Sequence, residues 1–172
     1  MPVRVRCCNL LGMGTSGQDS AYEGLRGLMF GRDVQVGEDH GVHAVLMDWN
    51  IGKAVASVLA VADGTASVYL SSGGGYLGGG QRSPVMHQTA IRATEVAATL
   101  LPLMQLTDSF ETPSQQEEVY FYVRSKEGVH RRIARVADLR TGTDRFAELG
   151  NLMQQIITLY RQTAPTQDKP NS

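Results

Sequence analysis

Only two cysteines occur in the 172 residues, side by side at Cys7 and Cys8, together with one tryptophan and four histidines. Neighbouring cysteines rarely reach disulfide geometry, so no cross-linked framework is indicated and a reducing compartment is the simpler setting. No apolar run approaches the roughly 18 residues of a membrane span. Near the start only Leu10, Leu11 and Gly12 stand together, too short a run for a signal-peptide core. These absences lead us to expect a cytoplasmic protein with no membrane partner. Neither charge sign is in excess: 16 Lys and Arg against 17 Asp and Glu leave a net −1, so no whole-molecule field draws the chain to nucleic acid. What the chain does have is an apolar fraction of 42%, enough at this length to bury one core without staples.

Residues 1–18 show no clear period and are expected to be a loose segment, with a single α+β domain over 19–163 and a frayed tail from 164 to 172. Ser20 with Glu23 three positions on is a capping-box pattern, and Tyr22, Leu25, Leu28 and Met29 follow at helical spacing, predicting a short helix over 19–30. "VHAVLMDW" (42–49) is a nearly continuous apolar run and reads as a buried strand. "AVASVLAV" and "TASVYLSS" flank Asp63-Gly64, a pair that tolerates positive φ and signals a two-residue hairpin. Ser83-Pro84 is a hydroxyl cap followed by a proline suited to a first turn, and an apolar stripe carries the helix from Pro84 to about Leu106, with Pro102 as a kink or an early stop. "VYFYVRS" alternates with period two, "KEG" turns it, and "VHRRIARVADL" (129–139) is its expected partner. Phe146, Leu149, Met153, Ile156 and Tyr160 then recur at spacings of three and four, marking a last helix.

This gives the order α-βββ-α-ββ-α, and a five-stranded antiparallel sheet with one face covered by helices is the natural way to bury these stripes. That order of elements is similar to the small dimeric chaperones of bacterial secretion systems. More loosely it resembles the roadblock and longin group of interaction modules, whose order differs. The likeness spans most of the chain and rests on no shared motif.

Four constellations are candidates for chemistry. "SSGGGYLGGGQRSPV" (71–85) packs six glycines into eight positions, and "GGGYLG" satisfies G-x-G-x-x-G literally. Its context is wrong for a dinucleotide site, because the strand before it belongs to an antiparallel hairpin and the helix opens only after the glycines. A looser anion site would use Gly78, Gly79, Gly80, Arg82, Ser83 and His87 at the helix start; the plainer reading is a connection needing glycine's freedom. Tyr76 and Leu77, large apolar groups on a bare loop, call for burial or a partner. "EDHGVH" brings Asp39, His40 and His43 together, but the spacing suits a helix where a strand begins, so no metal site is expected. Asp48, next to Trp49 at a strand end, is a candidate lone acid, and the better reading is the start of a turn, as Asp commonly provides. Arg124, Arg131, Arg132 and Arg135 crowd one hairpin, with Arg131 and Arg135 on one strand face and Arg132 on the other, which suits an edge strand guarded by charge better than a nucleic-acid stripe.

The sequence therefore leads us to expect a non-catalytic interaction domain without cofactors, a homodimer that contacts a further protein through Tyr76, Leu77 and the basic hairpin. An anion or small-molecule site on the glycine loop is the alternative, and nucleic-acid binding by the hairpin a more distant one.

Overall fold

The computed structural model describes residues 24, 26, 27, 29–31, 41–73, 75, 76 and 83–163. The expected loose segment 1–18, the tail 164–172 and the cysteines lie outside them. Among the described residues seven antiparallel strands form one sheet: β1 (Val42–Asn50), β2 (Val55–Val61), β3 (Ala66–Leu70), β4 (Gly75–Tyr76), β5 (Gln105–Leu106), β6 (Glu118–Ser125) and β7 (Gly128–Arg135), in the spatial order β4-β3-β2-β1-β6-β7-β5. The five expected strands are its body. The expectation of only five is corrected at both margins, where two-residue strands too short for any period to reveal extend the ladder.

Two of the expected helical stripes form among the described residues with corrected limits, α1 (Pro84–Leu100) and α3 (Ala147–Thr163), and a short helix that was not expected, α2 (Val136–Thr141), stands between β7 and α3. Gly24, Arg26, Gly27, Met29 and Phe30 are also helical, within the span expected near 19–30. Helix α1 starts as the sequence indicates, with Ser83 Oγ accepting the Met86 amide at 3.3 Å and Pro84 in the first turn. It does not run to Leu106. Pro102 has no N–H to continue the ladder, so the chain tightens into a single 3-10 turn over Leu101–Leu103, and Met104 turns extended into β5. The strand expected over 129–139 likewise stops at Arg135, where Val136 begins α2 and donates its amide to the Glu117 carbonyl at 2.8 Å.

Alternation sorts the strands into two apolar clusters. Val45, Met47, Val58, Val68, Phe121 and Val123 face α1 and α3, whose Ala90, Ala93, Ala97, Leu149, Met153 and Ile156 are buried against them. The alanines of α1 let its backbone lie close to the sheet, and the Phe121 and Phe146 rings meet at 5.5 Å between centroids. The opposite face was not expected to carry a core. It does: Leu46, Leu59, Tyr69, Tyr120 and Tyr122 cluster there with Met29, and Phe30 packs on the group. β1 is thus buried on both sides, which is why its apolar run is continuous rather than alternating.

The Asp63-Gly64 turn closes the β2–β3 hairpin as expected, with Asp63 Oδ1 accepting the Thr65 amide at 2.8 Å and Gly64 at φ +85°. A Cβ on Gly64 would fall 2.1 Å from His87 Nδ1, so α1 docks its first turn directly on this hairpin. Gly64→Ala is expected to cost more than about 2 kcal/mol by urea denaturation, through left-handed strain and the clash together. In a His87→Ala background the penalty should shrink to the strain alone, about 1–2 kcal/mol. An unchanged penalty there would contradict the docking.

Candidate functional site

The glycine loop is partly a strand. Gly73 turns the chain at φ +97°, and Gly75 and Tyr76 then pair with Tyr69 and Val68. A Cβ on Gly75 would lie 2.6 Å from the Val68 carbonyl oxygen, so glycine is required by close approach to the sheet. Leu77, Gly78, Gly79, Gly80 and Arg82 lie outside the described residues. Of the anion-site candidates, Ser83 and His87 are brought together one helical turn apart. Ser83 is engaged at both ends, its hydroxyl capping Met86 and its carbonyl accepting the His87 amide at 3.0 Å. His87 lies against the β2–β3 turn. Asp39 and His40 of the histidine cluster are also outside the described residues, and His43 is a buried residue of β1.

The basic hairpin is divided as alternation predicts. Arg124 donates to the Met29 carbonyl at 3.0 Å, and Arg131 reaches Glu111 at 3.5 Å on the same face. Arg132 points the other way, pairing with Asp144 at 3.4 Å and lying 5.7 Å from the Phe146 ring centroid. His130 is buried, its Nδ1 3.4 Å from Ser125 Oγ. The expectation of a bare edge strand needs correcting over part of its length: β5 pairs with β7 opposite His130 and Arg131, and the Thr107 amide donates to the Val129 carbonyl at 2.8 Å. Beyond Arg131 the margin carries no neighbouring strand among the described residues. Ile133 sits on that margin at 40% exposure, and Leu103 and Leu106, at 41% and 59%, lead into and end β5. None of these three residues was singled out from the sequence; the signal available was an isoleucine breaking a run of arginines.

Asp48 does not start a turn. It lies inside β1, fully buried on the second face between its ladder partners Ser57 and Tyr120. Arg26 from the helical residues forms an ion pair with Asp48 Oδ2, and the Ser57 hydroxyl donates to Oδ1 at 2.5 Å. The same guanidinium donates to the Phe110 carbonyl at 2.6 Å and lies 5.1 Å from the Phe30 ring centroid. Phe30 and Phe110 stack at 4.0 Å, and the Tyr122 hydroxyl donates to the Glu111 carbonyl at 2.5 Å. The polar, acidic segment 107–117 is therefore a strap fastened across the second face.

Burial pushes the Asp48 carboxyl above its ordinary value of 3.8, against the opposing pull of Arg26 and Ser57. The folded chain thus holds this proton more tightly than the unfolded one. That contribution is complete below the ordinary value and is lost as pH rises through the folded one. Relative to Asp48→Asn, which keeps the uncharged shape, wild type is expected to lose stability as pH climbs from about 4, with the difference level once Asp48 ionises in the fold. Paired denaturation curves across this range check it; a difference that moves in favour of wild type would show that Arg26 outweighs burial. Compared with known proteins, the chain matches no family model, no curated protein and no solved structure.

Proposed function

We propose that this domain is a non-catalytic binding module acting through protein–protein contacts at the outer margin of β7. The observation that carries the reading is an unfilled ladder beside exposed apolar side chains. The Val129 carbonyl faces β5, so strand alternation turns the backbone groups of Arg131, Ile133 and Arg135 the same way. Past Arg131 those groups meet no neighbouring strand among the described residues. Such an edge accepts an extended segment by strand addition, with main-chain hydrogen bonds giving affinity and alternate side chains giving specificity.

Charge narrows the partner. Antiparallel pairing of two copies about Ile133 would set Arg131 of one against Arg135 of the other, and like charges directly opposite are unfavourable. The margin therefore suits an acidic extended segment of a different protein, and the homodimer expected from the sequence belongs on another surface. The ion pairs to Glu111 and Asp144 do not close the margin, because each involves a partly exposed arginine and contributes at most about 1 kcal/mol. They can be exchanged for carboxylates of a partner.

A fluorescein-labelled peptide of alternating Glu and Val is expected to bind saturably by fluorescence anisotropy, with Kd below about 1 mM and at least about tenfold tighter than its Lys-Val counterpart. Ile133→Pro, which removes the outward N–H at an edge position that tolerates proline, should abolish binding while the protein still unfolds cooperatively. Ile133→Glu should weaken it by repulsion. Equal affinity for the two peptides, or binding that survives Ile133→Pro, would contradict strand addition.

A further inference from the structure

A second concave surface lies where the ends of β1, β6 and β7 meet. Trp49, Asn50, Ile51, Gln116, Glu117 and Arg135 line it together with the first residues of α2 and Arg140, around a volume of about 510 Å³. Its walls are fixed by local chemistry. Asn50 Nδ2 donates to the carbonyls of Pro113 and Ser114, both at 3.1 Å, while its Oδ1 accepts the Gly52 amide at 2.8 Å. One side chain thus ties the β1–β2 turn to the strap. Gly52 adopts φ +92°, and a Cβ there would come 2.7 Å from Gln116 Nε2, so the Gln116 amide lies directly over the turn. The groove is formed in the free chain.

The half-buried Trp49 and the 46%-exposed Ile51 form an apolar floor. Arg135 and Arg140 are exposed, and their side chains make no ion pair or hydrogen bond among the described residues. Glu117 also lines the groove, and Glu118 faces Arg135 across the β6–β7 ladder but engages the Tyr120 hydroxyl at 3.3 Å. Two guanidiniums against one lining carboxylate leave the groove cationic. Aromatic floor and planar donors together select a ligand with a flat apolar body and an anionic end.

We propose that this groove binds a small carboxylate or phosphate bearing an aromatic ring, the ring packing on Trp49 and Ile51 and the anion taken by Arg135 and Arg140. The site is separate from the β7 margin, and although both involve Arg135, Arg140 belongs to the groove alone and Ile133 to the margin alone.

Trp49 is the only tryptophan, so the emission of the intact chain reports directly on the groove. Phenylacetate and phenyl phosphate are the probes, with phenylacetamide and acetate as the neutral and ringless controls. At least one aromatic anion is expected to change the emission saturably with Kd below about 1 mM, and the controls to bind at least about tenfold more weakly. The better of the two anions tells whether carboxylate or phosphate is preferred. Arg140→Gln should raise Kd about tenfold, since it removes a charge-assisted contact at an exposed position without touching the core. Ile133→Pro should leave this Kd unchanged, which separates failure of the groove from failure of the margin. In Trp49→Phe, where the optical signal is gone, ligand-observed saturation-transfer NMR should still detect the anion on a remaining ring. No saturable response to either anion, an equal response to phenylacetamide, or indifference to Arg140→Gln would overturn the proposal.

Discussion

A carboxylate in the middle of the central strand must be answered from both sides, and the Arg26–Asp48 pair is how this protein answers it. Leaving such a charge buried without a partner costs several kcal/mol, so the segment carrying Arg26 is drawn across the second face of the sheet. Arg26 also grips the Phe110 carbonyl, Phe30 stacks on Phe110, and Tyr122 holds the Glu111 carbonyl. The strap 107–117 is thereby fixed in place. From its two ends hang the features with functional interest: β5, which leaves part of β7 open, and the Pro113–Ser114 carbonyls that Asn50 uses to shape the Trp49 groove.

Much of the sheet was legible because its signals are local. The Asp63-Gly64 turn, the period-two alternation of Val119 to Arg124 and the apolar spacing from Phe146 to Tyr160 each depend on a few neighbouring residues, and each forms where it was expected. What escaped was decided at long range. β4 and β5 have only two residues each and exist because β3 and β7 offer open ladders, which no pattern within the segments announces. The helical turn of α2 is apolar enough at Val136 and Leu139 to pass for continued strand. Asp48 read as a turn residue because it stands near the end of an apolar run, where Asp commonly starts a turn; its partner lies 22 positions earlier, and nothing in the intervening sequence joins the two.

The candidate site follows the same division. Alternation alone separated Arg131 from Arg132, and the structure places them on opposite faces with different carboxylates. Sequence could not tell that Ile133 would stand on an open margin, because that depends on how far β5 extends. Nor could it bring Trp49, Arg135 and Arg140 to one groove, since three separate elements converge there. Under the two proposals, the charge pattern would give both surfaces acidic partners, one extended and one small. Their apolar components are Ile133 on the margin and Trp49 in the groove.

The account stands on the coupling between Arg26 and Asp48, and a double-mutant cycle measures it most directly. Arg26→Ala, Asp48→Ala and the double variant would be compared by denaturation at neutral pH. Asp48→Ala alone is expected to cost about 3–5 kcal/mol, because it removes the counter-charge of a largely buried guanidinium. The double variant should cost at least about 1.5 kcal/mol less than the sum of the two single changes. Additivity within about 0.5 kcal/mol would mean that the pair does not hold the second face, and that the strap, the open margin and the groove owe their positions to something else.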